Sequence, residues 1–172
     1  MVGRLVDQKN YFSAIDILAD LDFKLDIVGS GPLKAQIKSY CSEKKLDVSF
    51  LDSLDNTDLL KIYGKYRLYF SMSYYEGNSK SLLEAMSAGC VPVVSKIPNN
   101  IEIVNEKNGV LIDLKSFEKA KLYKNIKKIV NNQSIFESLS SNSIDTVRKE
   151  SSLDNLINLT IEDFNYLDSF NN

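Results

Sequence analysis

A chain of 172 residues, 44% hydrophobic and 26% charged, is long enough to bury a core in one domain and shows no internal boundary. Its formal net charge of -2 offers nothing to a nucleic-acid backbone, and no apolar run approaches the roughly 20 residues that cross a bilayer. Histidine is absent, which removes the usual general base and every imidazole triad, and Cys41 and Cys90 lack the spacing of a zinc or redox motif.

Taken in chain order, Met1 to Leu5 reads as a strand and Asn10 to Leu21 as a helix. Lys24 to Val28 follows as a strand, Leu33 to Lys44 as a helix and Val48 to Leu51 as a strand. The rhythm continues with a helix over Thr57 to Tyr66, a strand over Arg67 to Ser71, a helix over Ser79 to Ala88 and a strand over Val91 to Ser95. Pro92 removes a ladder donor, which places it at a strand start. Gly109 to Ile112 is a further short strand, and helices are expected over Phe117 to Asn131 and Ser134 to Lys149, with the Asn/Ser-rich stretch 131–142 as loop and cap. Leu153, Leu156, Ile157, Ile161, Phe164 and Leu167 recur at helical steps, giving a terminal helix, Leu153 to Phe170, with one apolar face to cover. Alternation of this kind specifies an α/β fold, a parallel sheet covered by helices on both faces.

Three segments stand at the crevice end of such a sheet. Gly3, Arg4, Leu5 and Lys9 lie where the first strand gives way to the first helix, so Arg4 and Lys9 either converge on a phosphate or stay solvated. Gly29, Ser30, Gly31 and Pro32 form a tight strand-to-helix turn; the sixth position of a dinucleotide fingerprint counted from Gly29 is Lys34, so that fingerprint fails. In the third segment Glu76 and Gly77 precede Asn78 and Ser79 at a helix start, whose free N–H groups favour an anion. Glu84 lies about 8 Å further along at ~1.5 Å per residue. On a helical wheel Glu84 opposes the apolar face of Leu82, Leu83, Met86 and Gly89, so alone it reads as a solvated acid. Asp20 and Asp22 match a short acidic metal-binding pattern but sit at the opposite edge of the sheet, so no metal site is expected.

Together these segments resemble the C-terminal, nucleotide-sugar-binding domain of the GT-B fold, family 4 retaining glycosyltransferases. The resemblance runs in order from Gly3 to about Ile112. It rests on a Gly-Arg-Leu…Lys element at Gly3, Arg4, Leu5 and Lys9, a Gly-x-Gly-Pro element at Gly29, Gly31 and Pro32, and a Glu-Gly-x-Ser…Glu-Ala…Gly element at Glu76, Gly77, Ser79, Glu84, Ala85 and Gly89. Met72 departs from a frequent proline, and Asp52 from a frequent glycine.

The resemblance implies a Rossmann-like parallel sheet. It also implies transfer of a sugar from a nucleotide diphosphate sugar to a glycan or lipid-linked acceptor, in surface polysaccharide or glycoconjugate synthesis. Arg4 and Lys9 would neutralise the donor diphosphate, with backbone N–H groups at Asn78 and Ser79. Glu84 would take the ribose hydroxyls, Glu76 the transferred sugar, and Gly3, Gly29, Gly31 and Gly77 would admit the donor. No metal or other cofactor is implied. The family's N-terminal acceptor-binding domain has no counterpart here, so the chain is expected to be a fragment of a longer enzyme, its helix over 152–170 crossing toward the absent domain. By itself it is expected to bind nucleotide diphosphate weakly and to be inactive. A cytoplasmic setting, with peripheral association at the inner face of the membrane, is the corresponding expectation. The alternative is a non-catalytic nucleotide-sugar-binding module working with a separate acceptor subunit.

Overall fold

A computed structural model describes residues 1–77 and 79–150; Asn78 and the expected terminal helix lie outside the described residues. The strands are β1 (Leu25–Val28), β2 (Val48–Leu51), β3 (Leu68–Ser71), β4 (Val91–Ser95) and β5 (Val110–Ile112). All pairings are parallel: β1 with β2, and β3-β4-β5 in that order. The helices are α1 (Tyr11–Leu18), α2 (Lys34–Glu43), α3 (Asn56–Tyr63), α4 (Lys80–Ser87), α5 (Pro98–Ile103), α6 (Lys119–Asn131) and α7 (Gln133–Glu150). No helix among the described residues is long and apolar enough to cross a membrane.

Side chains on successive strand positions point to opposite faces, and the core divides accordingly. Ile27, Phe70 and Val93 pack with Ile15 of α1, Ile37 of α2 and Ile126 of α6. Val28, Tyr69 and Val94, each one residue away, pack with Tyr63 of α3, Met86 of α4 and Val147 of α7. Helices therefore cover both faces of a parallel arrangement, as the alternation requires.

The expected first strand is reduced to one parallel bridge, Val2 to Val28. Beside it Gly3 N–H donates to Val28 O at 3.0 Å and Leu5 N–H to Ser30 O at 2.9 Å, so the segment runs along β1 without regular strand geometry. Glycine is the reason: φ is +149° at Gly3 and +140° at Gly29. A Cβ on Gly29 would overlap the carbonyl of Gly3, so the two turns nest only because Gly29 has no side chain.

Pro92 lies inside β4, opposite Tyr69 and not at a strand start. Val91 N–H donates to Arg67 O on the β3 side, so the next N–H would face β5, whose pairing begins only at Val93. The missing donor thus falls where no acceptor is waiting.

Two further differences from the sequence reading have local causes. Helix α5 was not expected; Pro98 occupies its first turn, and the buried Asn100 donates through Nδ2 to Ser95 O at 2.8 Å, anchoring a segment with little apolar periodicity. The stretch 131–142 is mostly helical, with only Asn132 between α6 and α7. Its small polar residues, with Ser143 just beyond, grip backbone: Ser140 Oγ donates to Gly89 O, Asn142 Nδ2 to Lys107 O and Ser143 Oγ to Asn108 O, each at 2.7 Å.

Cys41 and Cys90 are buried and unbridged, and desolvation pushes both thiols up to about 11. Below that pH they stay protonated in the folded state, so at pH 8 both are expected to resist a thiol-reactive dye until denaturant is added. Gly29→Ala is expected to cost about 1–3 kcal/mol or more, read as a lower urea midpoint with unchanged m.

Candidate functional site

The first loop of the site follows the N-terminal segment. Asp7–Lys9 forms a single 3-10 turn, and Asn10 closes it in the left-handed region, φ 48°, before α1 begins. The Lys9 stem lies across Gly3, where an added Cβ would sit 3.2 Å from Lys9 Cε. This glycine gives the lysine its path.

Lys9 Nζ reaches Glu76 Oε1 at 2.5 Å, and the Ser73 hydroxyl donates to the same oxygen at 2.6 Å. The side chains of Lys9 and Glu76 are only 17% and 8% exposed, so the pair is little screened by water. Backbone supports it: Tyr74 N–H donates to Gln8 O at 2.9 Å, and Gln8 Nε2 to Tyr75 O at 2.8 Å. Ser95 Oγ donates to Ser73 O at 2.6 Å, tying the end of β4 to the same loop. Gln8, Ser73 and Ser95 were missed in the sequence reading; nothing in their spacing distinguishes them from loop polar residues.

Gly77, like Gly64 and unlike Gly29 and Gly31, is not demanded by packing or backbone geometry: a Cβ there would meet nothing among the described residues within 4 Å, and its φ is not in the left-handed region. Its carbonyl accepts from Asn99 Nδ2 at 2.5 Å. Ser79 is the N-cap of α4 and is buried; its carbonyl accepts from Leu82 and Leu83 N–H at 3.0 and 3.1 Å. Behind this turn the Tyr69 hydroxyl is hydrogen-bonded to Ser81 Oγ at 2.9 Å, and burial raises the phenol to about 12, keeping it neutral.

Glu84 is less solvated than its helical wheel implied: its side chain is 17% exposed, with Lys80 Nζ 3.5 Å away. Arg4, by contrast, is exposed and its side chain makes no ion pair among the described residues. It lines an open groove of about 240 Å³ with Gly3, Gly29, Ser30, Ser53 and Leu54. Gly31 closes the turn behind this groove, an added Cβ there standing 2.5 Å from Leu5 O.

The structure therefore brings Gly3, Arg4 and Gly29 into one groove and Lys9 and Glu76 into one ion pair. Ser79 and Glu84 share α4 and its cap, while Asn78 lies outside the described residues. At the rim, Lys34 Nζ holds Asp52 at 2.5 Å, and that hydrogen bond keeps the carboxyl below its usual range. Asp20 is taken by Lys119 at 2.5 Å and by the Tyr123 hydroxyl at 2.9 Å. Among the described residues no group of three His, Cys, Asp or Glu could hold a metal ion.

Comparison with known proteins gives this geometry a family. The family described as glycosyl transferases group 1 matches residues 1–146. The GtfA subunit of a UDP-N-acetylglucosamine–peptide N-acetylglucosaminyltransferase from Limosilactobacillus reuteri is 31% identical over 93 residues, which are 53% of this chain and 18% of that protein. Among solved structures, TarM of S. aureus, crystallised with UDP, superposes with a TM-score of 0.80 at 23% identity, over 94% of this chain and 34% of that one. HepE of Anabaena, crystallised with UDP and glucose, gives a TM-score of 0.77 at 20% identity, over 96% of this chain and 48% of that one. The chain thus spans about a fifth of the GtfA subunit and about a third of TarM. These likenesses show the C-terminal domain of the GT-B fold, with parallel strands flanked by helices. With the family match running through 146 of its 172 residues, the chain belongs to the glycosyl transferases group 1 family.

Proposed function

We propose that this chain is the donor-binding half of a retaining, family 4 glycosyltransferase, which takes a nucleotide diphosphate sugar and delivers the sugar to a glycan or lipid-linked acceptor. The observation that carries the reading is the Lys9–Glu76 pair, little exposed and set beside the groove of Gly3, Arg4 and Gly29. A sugar diphosphate needs cations for its phosphates and a carboxylate for its hydroxyls, and both stand here within one hydrogen bond of each other.

In this reading the bond between the anomeric carbon and the diphosphate oxygen breaks with its electron pair leaving on oxygen. Lys9 and Arg4 stabilise that developing charge directly, without a metal ion. Glu76 orients the transferred sugar, and Glu84, largely covered on α4, takes the ribose hydroxyls. Gly3 and Gly29 let the donor approach backbone, Gly31 holds the turn behind them, and Ser79 offers the start of α4 to the phosphates. The nucleotide sugar is the partner of this domain. The acceptor, the rest of the enzyme, a cytoplasmic setting with peripheral attachment to the membrane, and a place in polysaccharide synthesis belong to the same proposal.

Thermal-shift titration with UDP, GDP, ADP and CMP is the direct test. One nucleotide is expected to raise apparent stability by about 2.7 kcal/mol at a hundredfold excess over its Kd, with the response lost in Arg4→Ala and weakened in Glu84→Ala. Indifference to all four, or variants that respond like the parent, would defeat the reading. Gly77→Ala separates binding from folding: its stability is expected to stay within about 0.5 kcal/mol of the parent, because the new methyl meets only open space, while stabilisation by the nucleotide sugar falls.

A further inference from the structure

The largest cavity described lies beside the donor site and is used by none of the chemistry above. It encloses about 580 Å³ between α1 and the C-terminal ends of β4 and β5, against about 240 Å³ for the groove at Arg4. Its wall includes Asn10, Ser13, Tyr74, Lys96, Asp113 and Phe117. Two of these adjoin the ion pair in sequence: Asn10 follows Lys9, and Tyr74 stands two residues before Glu76.

Contacts in the structure join the cavity to the donor site. Ser95 and Ser73, both in the wall, are linked by the Ser95 hydroxyl to Ser73 O, and the Ser73 hydroxyl then donates to Glu76. Asn10, only 5% exposed, closes this wall with a buried carboxamide whose Nδ2 has no hydrogen-bond partner among the described residues.

The wall also indicates the kind of ligand. Asp16 is neutralised by Lys44 at 2.8 Å and Lys119 by Asp20 at 2.5 Å, so Lys96, Lys115 and Asp113 are the ionic side chains of the wall that form no ion pair among the described residues. Asp113 in turn accepts from Lys115 N–H at 3.0 Å and Ser116 Oγ at 2.9 Å. Two exposed ammonium groups beside a carboxylate suit a phosphate poorly. Donors and acceptors interspersed with the faces of Tyr74, 59% exposed, and Phe117 suit a ring that carries hydroxyls on its edge and C–H groups on its faces.

We propose that this cavity is a glycan subsite that binds a neutral sugar ring next to the donor, so that this domain holds part of the acceptor. The acceptor role rests on the donor-site reading; binding of the sugar ring does not. Occupancy would be felt at Glu76 through Ser95 and Ser73.

The test is amide NMR on the 172-residue chain, titrated with maltose, with inorganic phosphate, and with maltose in the presence of UDP. Maltose is expected to shift Ser13, Tyr74, Lys96, Asp113 and Phe117. Ser13→Trp, which fills the cavity, and Tyr74→Ala, which removes an exposed ring, are each expected to weaken that binding at least tenfold while circular dichroism stays that of the parent. Absence of maltose shifts up to the solubility of the sugar, their persistence in both variants, or shifts with phosphate alone would overturn the subsite. UDP shifts at Gly29 and Ser30 are read in the same samples. If they are missing while maltose still binds, the donor reading falls and the sugar cavity stands.

Discussion

The contact on which the site depends is the ion pair between Lys9 and Glu76, because it fastens together two loops that lie 67 residues apart in the chain. At the point of contact neither loop is α-helix or strand, Lys9 closing a single 3-10 turn. The pair works with the backbone bonds between Gln8 and the Tyr74–Tyr75 segment, so the two loops are fixed by charge and by peptide groups together. Taking either partner away would leave the other mostly covered and uncompensated, which costs far more than an exposed pair of the same charges. In the proposed function the same coupling becomes chemical: an incoming diphosphate competes with Glu76 for one ammonium, and the carboxylate it displaces is the group meant for the sugar.

Around that pair, the glycines perform two separate tasks. Gly29 and Gly31 are required by packing, since the N-terminal segment passes so close that no β-carbon fits at either position. At Gly77 no described residue would meet an added Cβ within 4 Å, so the glycine leaves open space beside the covered carboxylate of Glu76. The groove at Arg4 and the turn at Gly29 are consequently one structure, in which the close approach that builds the fold also bares the backbone a ligand would meet.

Much of this was legible in the sequence, for physical reasons that also explain what was not. Short apolar runs carry the strands, because helices cover both faces of the sheet, and one-sided periodicity carries the long helices. Helix α5 left no such mark: it is six residues long and is held by Pro98 and the Asn100 amide. The first strand looked complete because Met1 to Leu5 is apolar at the right places, but composition does not report the φ angles of Gly3 and Gly29. The charged members of the site could be named from sequence, whereas Ser73 and Ser95 could not, since a hydroxyl that bonds a loop resembles any other. Glu84 shows the reverse error, a wheel that predicts solvent for a side chain that is only 17% exposed.

The grip of α7 on the rest of the domain has an implication for how such a sequence can change. Its hydroxyls and amide bond to the carbonyl oxygens of residues 89, 107 and 108, and a carbonyl is present whichever amino acid occupies a position. At Lys107 the docked-upon residue is therefore free to drift as far as its bond is concerned, but Gly89 is held by its φ of +86° and by Ser140 Oγ standing 3.0 Å from where a Cβ would be, and Asn108 by its own amide, which donates to Thr146 Oγ1 at 3.0 Å. A run of serine and asparagine that resembles filler is thus most of the record of that contact, with a glycine and an asparagine as its counterpart.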